Sequence, residues 1–298
     1  KKILINEMER YPEMRLEDFD TGDTYTAHVL SSERITPVES REEVREIVLE
    51  VDRANFDYRP GQSIGVVISG DHALGHKHHF RLYTVADIPQ QVTGKPQVTI
   101  CVKRCNYIDE YSGELYEGIA SNYLCDLPVG GEVTINGPFG IPFEVPDDRE
   151  ADLLLIGMGT GIAPFRALIK HIYQDVKDWK GRVRLFYGAQ TGLELLYMNQ
   201  EKDDFSQYYD EATFEAFKAL SPRPHWADPI AMDYELESRS EEILTMLNDA
   251  RTHVYVAGRE DILQTLDRVF ARMLGSEEKW LRRKAELKAG NRWVELVY

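Results

Sequence analysis

The chain has 298 residues, 43% of them hydrophobic and 29% charged, enough apolar material for one large or two ordinary domains. Its formal net charge of −16 argues against a general binder of nucleic acid or anionic membrane, because such partners require basic surface. Apolar stretches such as Leu153 to Ile156 fall far short of a membrane span, and residues 1–30 lack the basic start and apolar core of a signal peptide, so a cytoplasmic protein is expected.

The chain opens with "KKILINEMERYPEMRLEDFDTGD", a polar segment with little periodicity that reads as an arm or linker over residues 1–23. Short alternating runs follow: "TYTAHVL" (24–30), "REIVLEV" (45–51), "SIGVVIS" (63–69), "FRLYTVA" (80–86), "QVTICVK" (97–103) and "GEVTING" (131–137). Strands at this spacing, broken by "RPGQ", "TGKP" and "PVGG", predict an antiparallel barrel over residues 24–148. Between two of them, "GDHALGHKHHF" carries His72, His76, His78 and His79; without acids or cysteines at ligand spacing it reads as a solvated loop and not a metal site. Cys101, Cys105 and Cys125 form no Cys-x-x-Cys pair and are expected to be buried free thiols in a reducing compartment.

After "EVPDDREAD" the pattern changes. "ADLLLIG", "RVRLFYG", "TFEAFKAL" and "THVYVAG" suit buried parallel strands, and helical patterns such as "IAPFRALIKHIYQDV" and "EDILQTLDRVFARML" alternate with them. Residues 149–298 are therefore predicted to form a doubly wound α/β domain. Its first strand runs into "GMGTGIAPFR" (157–166), at the carboxyl end where open α/β sheets bind ligands. Glycines let backbone approach a pyrophosphate closely, and Pro164 fits the first turn of a helix, where a missing N–H costs little. The same stretch also suits a tight strand-to-helix turn with no ligand. Neither the dinucleotide fingerprint nor the P-loop pattern matches these glycines.

The ordered set "RLYT" (81–84), "CVKRCNY" (101–107), "GIASNYLCDLPVGGEV" (118–133), "GPFG" (137–140), "GMGTGIAPFR" (157–166), "VYVAG" (254–258) and "WVELVY" (293–298) resembles the motifs of plant-type ferredoxin–NADP reductases, from about residue 24 to the C-terminus. The resemblance implies an antiparallel FAD-binding barrel followed by a doubly wound parallel-sheet NADP-binding domain. The activity it implies is hydride transfer from NADPH to FAD, then passage of single electrons to a ferredoxin or flavodoxin-type acceptor.

In "RLYT", period-two alternation puts Arg81 and Tyr83 on one face and Leu82 and Thr84 on the other. A guanidinium suits a pyrophosphate, a phenol packs on an isoalloxazine and a hydroxyl bonds a flavin nitrogen. By resemblance Arg81 holds the FAD phosphates, Tyr83 stacks on the ring and Thr84 stands near N5, with Leu82 alongside. Tyr107 stacks on the adenine, Cys101, Val102 and Lys103 follow the cofactor through their backbone, and Gly118, Ile119, Ala120 and Ser121 open a helix onto the second phosphate. The coenzyme NADP(H) falls to Gly159, Thr160, Gly161 and Pro164, to Ser221 and Arg223 at the 2′-phosphate, and to Ala257 and Gly258 at the nicotinamide. Tyr298 covers the flavin and Glu295 is the candidate C-terminal acid.

The sequence departs from the family at two places. Ala257 stands where the family has a cysteine, and the terminal Glu-x-Tyr is stretched to Glu295-Leu296-Val297-Tyr298, a one-residue shift that turns a strand side chain to the other face. "KWLRRKAELKAGNR" (279–292) holds six basic residues against one acid; it reads as a solvated helix face, or as a docking patch for an acidic ferredoxin or flavodoxin. The end "WLRRKAELKAGNRWVELVY" is also similar to that of benzoyl-CoA epoxidase reductase components, which makes an oxygenase component a further candidate partner. A non-catalytic, nucleotide-binding regulatory relative is the alternative of a different class.

Overall fold

The computed structural model describes residues 23–69, 78–90, 94–108, 115–220 and 231–298. The alternating runs become β1 (Tyr25–Arg34), β2 (Val44–Val51), β3 (Ser63–Ser69), β4 (His78–Thr84) and β5 (Gln97–Lys103). A small hairpin follows, β6 (Asn106–Ile108) with β7 (Leu115–Glu117), then helix α1 (Ile119–Asp126) and β8 (Glu132–Phe139). Six of these strands form one antiparallel sheet in the order β4-β3-β8-β1-β2-β5. Just past β4, Val85 bridges Ile100 of β5 and the Ala86 N–H donates to the Thr99 carbonyl at 2.8 Å, so the two edges meet and the sheet closes as a barrel. Inward side chains including Ile47, Leu49, Val66, Ile100 and Ile135 are wholly buried, each stabilising the barrel by ~1.5–3 kcal/mol relative to exposure.

The second sheet is parallel throughout. It contains β9 (Leu153–Met158), β10 (Val183–Gly188), β11 (Phe214–Ala219), β12 (His253–Gly258) and β13 (Trp293–Val297), ordered β11-β10-β9-β12-β13. β9 and β10 are buried at every position, as their unbroken apolar runs require, whereas edge strand β11 alternates buried and exposed residues. Helices cover both faces. α2 (Ile162–Lys170), prolonged by a π-helical turn over His171–Val176, packs Phe165, Leu168 and Ile169 on one face. α3 (Met232–Glu237), α4 (Ser240–Asn248), α5 (Asp261–Leu274) and α6 (Glu277–Ala289) cover the other with Met232, Ile243, Leu266 and Trp280. The expected antiparallel barrel followed by a doubly wound α/β sheet is the observed architecture. Among the described residues no helix is long and apolar enough to cross a membrane, and no cluster of histidine, cysteine or acid could hold a metal ion. Residues 70–77, which include His72 and His76, lie outside the described residues.

The core under α2 continues into the barrel, since Ile35, Val44, Ala86, Cys101 and Phe143 belong to it. Charges reinforce that junction. The buried guanidinium of Arg166 on α2 donates to the Ala86 carbonyl at 3.0 Å, pairs with Asp204 at 2.8 Å and lies 3.6 Å from Glu46 of β2. Lys170 pairs with Asp87 at 2.8 Å, and the Tyr197 hydroxyl donates to Glu46 at 2.6 Å. Tyr197 is wholly buried at φ 62°, an unusual conformation for a bulky residue, with the Arg166 guanidinium 4.5 Å from its ring centroid. These bonds fix α2, and the turn that begins it, relative to β2 and to the segment just past β4.

Candidate functional site

The "RLYT" strand behaves as alternation demands. Leu82 is buried with Phe80 and Phe139 on one face of β4, while Tyr83 is half-buried against the barrel core on the other. Burial pushes the Tyr83 phenol well above its ordinary pKa, so it stays neutral. Arg81 has no hydrogen bond or ion pair among the described residues, although it is half-buried. A guanidinium at such a position suits an anion such as a phosphate. Thr84 pairs with Ser63 of β3, their hydroxyl oxygens 3.2 Å apart.

The start of α1, which packs against β4 and β5, supplies a second anion-binding element. Its N-cap, Gly118, makes no side-chain cap, which leaves first-turn N–H groups uncapped. A Cβ on Gly118 would lie 2.9 Å from both the Cys105 carbonyl and Ser121 Oγ, so only glycine fits. The connection from β5 is held firmly: the Gly118 N–H donates to the Cys105 carbonyl at 2.7 Å, the Cys105 N–H donates to Ser121 Oγ at 3.0 Å, and Asn122 Nδ2 donates to the Gly118 carbonyl at 2.8 Å. Arg104 anchors this frame through Glu43 at 2.6 Å, Asp126 at 2.8 Å and Asn122 at 2.9 Å. The anchoring roles of Arg104 and Asn122 went unread in the sequence; only their place inside the motif flagged them. Ile119 and Ala120 form the first helical positions, and Tyr107 lies on β6 by its backbone. Cys101 and Cys125 are buried thiols, pushed up to about 12 and about 11 by burial, but Cys105 is exposed because it sits in the connection beyond β5. That corrects the expectation of three buried thiols.

At the other centre, β9 turns through Gly159-Thr160-Gly161 into α2. Gly159 has φ +56°, and a Cβ on Gly161 would lie 2.6 Å from the Ala257 carbonyl, so the turn is pressed against the end of β12. Gly258, at φ +139°, leaves the same crowded corner. Pro164 is buried at the third position of α2, in the first turn as expected. Ser221 and Arg223 lie outside the described residues.

The C-terminus closes onto this turn. The Tyr298 N–H donates to the Gly258 carbonyl at 2.9 Å, its carbonyl accepts from the Glu260 N–H at 2.9 Å, and its hydroxyl is 2.8 Å from Thr160 Oγ1. Burial raises its pKa despite the Thr160 hydrogen bond. Glu295 is not brought to this site. It shares a face of β13 with Trp293 and Val297, which pack toward α5 and α6, and Trp293 Nε1 donates to its Oε2 at 2.9 Å. Leu296, paired in register with Ala257, occupies the face toward the glycine turn. With the stretched terminal motif, Leu296 rather than Glu295 lies on the face of β13 toward the glycine turn.

Arg81, Tyr83 and Thr84 on β4 and the uncapped Gly118 helix start packed against that strand lie on the barrel. The glycine turn, with Ala257 and Tyr298 packed on it, lies on the α/β domain next to β5. A flavin dinucleotide fits this donor set, with the Arg81 guanidinium and helix N–H groups for the diphosphate and a neutral phenol and hydroxyl for the ring.

The family model that matches is the oxidoreductase NAD-binding domain, over residues 155–268. The chain is 32% identical over 268 residues to the ferredoxin–NADP reductase of Picosynechococcus sp., an alignment that covers 86% of this chain and 65% of that protein. It is 30% identical over 285 residues to the chloroplastic leaf isozyme 1 of Arabidopsis thaliana, with 94% of this chain and 79% of the relative covered. The ferredoxin–NADP+ reductase structure from Plasmodium falciparum matches with a TM-score of 0.70 at 18% identity, over 96% of this chain and 98% of that one. The chain thus spans about 65% of the length of the cyanobacterial relative.

Proposed function

The chain belongs to the ferredoxin–NADP reductase family, and from that premise we propose that it is an FAD-dependent oxidoreductase that takes a hydride from NADPH and delivers single electrons to a ferredoxin or flavodoxin-type acceptor. The observation that carries this reading is the uncapped, glycine-lined start of α1 packed against the strand of Arg81, with the glycine turn under Tyr298 beside β5. We assign the barrel to residues 24–148 and the coenzyme domain to 149–298. FAD, when bound, couples the two-electron donor to one-electron acceptors.

The chain's own residues would bind, orient and exclude. Arg81 and the α1 N–H groups hold the diphosphate, Tyr83 and Tyr298 bracket the ring, and Thr84 offers a hydroxyl steadied by Ser63. Gly159, Thr160 and Gly161 receive the coenzyme pyrophosphate, and the absence of a side chain beyond Cβ at Ala257 leaves room for the nicotinamide. Ser221 and Arg223 read the 2′-phosphate. Tyr298 lies where the nicotinamide must go, because hydride transfer needs donor and acceptor atoms about 3–3.5 Å apart, so the tyrosine must be displaced.

An acidic acceptor could dock on residues 279–292 only through Lys279, Lys288 and Arg292, because Arg282, Arg283 and Lys284 already pair with Glu278, Glu286 and Asp267. The likeness to epoxidase reductase components makes an oxygenase component the second acceptor to try. Three unpaired cysteines suit a reducing compartment such as the cytoplasm. Heat-released cofactor, separated by chromatography, is expected to be FAD; FMN, or no flavin, would remove the reading.

A further inference from the structure

Tyr187, on β10, lies in none of the motifs that mark the site, yet its side chain reaches the centre of it. The phenol is fully buried, its hydroxyl donates to the Gly159 carbonyl at 2.7 Å, and the same oxygen accepts from the Leu196 N–H at 3.2 Å. Burial raises its pKa far above the ordinary tyrosine value, so the donor proton is always present. Tyr187 lies in register with Gly157 of β9, so its ring stands beside the strand that feeds the turn.

This bond does more than fill a core. A peptide unit is planar, so holding the Gly159 carbonyl also fixes the direction of the Thr160 N–H joined to it. Gly159 sits at φ +56° with no Cβ to restrict it, and glycine is the residue whose backbone most readily leaves such a conformation. The Gly159 carbonyl also accepts from the Ile162 N–H within the turn, so the Tyr187 hydroxyl adds the restraint that comes from outside it. On the far side, Leu196 precedes Tyr197, whose hydroxyl bonds Glu46 of β2 and lies 3.0 Å from Cys101 Sγ of β5. One hydroxyl therefore ties the turn to the segment that is itself bolted to the barrel.

We propose that Tyr187 is a positioning residue for the nicotinamide coenzyme: its hydroxyl locks the Gly159–Thr160 peptide so that the Thr160 N–H faces the pyrophosphate and the Thr160 hydroxyl meets Tyr298. The inference rests on reading the turn as the NADPH site. It predicts that the pyrophosphate and nicotinamide parts of the coenzyme feel Tyr187, whereas the 2′-phosphoadenosine part does not.

The test is titration of the purified flavoprotein with NADP⁺ and separately with 2′-phospho-AMP, followed by calorimetry and by the flavin spectrum, for wild type and Tyr187→Phe. The substitution keeps the ring and removes only the hydroxyl, and the flavin signal reads folded molecules alone. Loss of one neutral hydrogen bond predicts NADP⁺ binding weaker by about fivefold and 2′-phospho-AMP within about twofold. In turnover, KM for NADPH should rise by a similar factor while kcat stays within about twofold. Tyr187→Leu, which also lacks the hydroxyl, should show the same split. Equal losses for both ligands, or none for either, would overturn the positioning role. A wild-type protein that binds neither ligand would overturn the NADPH reading beneath it.

Discussion

Tyr298 is held at three points, two through its main chain and one through its hydroxyl to Thr160. These bonds hold the aromatic against the glycine turn. Its displacement by nicotinamide is opposed by the lost contact, and a coenzyme anchored by a 2′-phosphate bears that cost better than NADH. Tyr298→Ser keeps the main-chain bonds and should tighten NADP⁺ binding, slow product release and raise the NADH-to-NADPH activity ratio by roughly tenfold, the scale of one aromatic contact. Steady-state kinetics with both coenzymes check it. Arg223→Ala should weaken NADPH by about ten- to a hundredfold through loss of a charge-assisted bond, and NADH little; equal weakening would place the phosphate elsewhere. Arg81 and Tyr83 were readable from residue type and alternation. Tyr187 was not, because its partner Gly159 lies 28 residues away and an apolar strand gives no sign of where one phenol points.

Strands were legible wherever one periodicity ruled, as in "REIVLEV" or "ADLLLIG", since the faces of a closed barrel and a buried parallel sheet impose it. The hairpin β6–β7 and helix α3 were not: three-residue strands and a six-residue helix are too short to show a period, and tertiary contacts define them. β13 shows what register does to function. Its alternation puts Glu295 with Trp293 and leaves Leu296 beside Ala257. Glu295→Gln is therefore expected to leave kcat within about twofold of wild type, within the range for a side chain outside the reacting atoms. A loss of tenfold or more in flavin reduction, measured by stopped flow, would return Glu295 to the site. α6 teaches a similar caution about charge runs. Its basic composition was plain, but three of its cations pair with acids, and only Glu286 among those acids lies within the run.

For the whole molecule, the two sheets work together only because the junction is fixed. Glu46 is buried, which alone would raise its pKa, but Arg166, the Tyr197 hydroxyl and Lys202 outweigh burial and hold its carboxyl below the ordinary range. A group with a depressed folded pKa stabilises the native state above its unfolded pKa, and that stabilisation is lost as pH falls through the folded value. Acid should therefore loosen the junction. Glu46→Gln should lower the melting temperature at neutral pH and flatten its decline below about pH 4.5, near the ordinary glutamate pKa; an unchanged acid limb would show that other carboxylates dominate. The fold class was legible in full from the order of patterns, because barrel and α/β sheet differ in period. The junction was not, since its charges come from β2, α2 and the segment around Tyr197, far apart in sequence.

The central claim is tested most directly by anaerobic addition of NADPH to the purified protein, followed by a one-electron acceptor. Stoichiometric NADPH should bleach the flavin absorbance near 450 nm, the usual oxidised-flavin band. Ferricyanide, or in a separate sample oxidised ferredoxin, should restore it, with two one-electron acceptors reduced per NADPH. A flavin that binds NADP⁺ yet stays oxidised under NADPH would contradict the account and leave a nucleotide-binding protein without the chemistry.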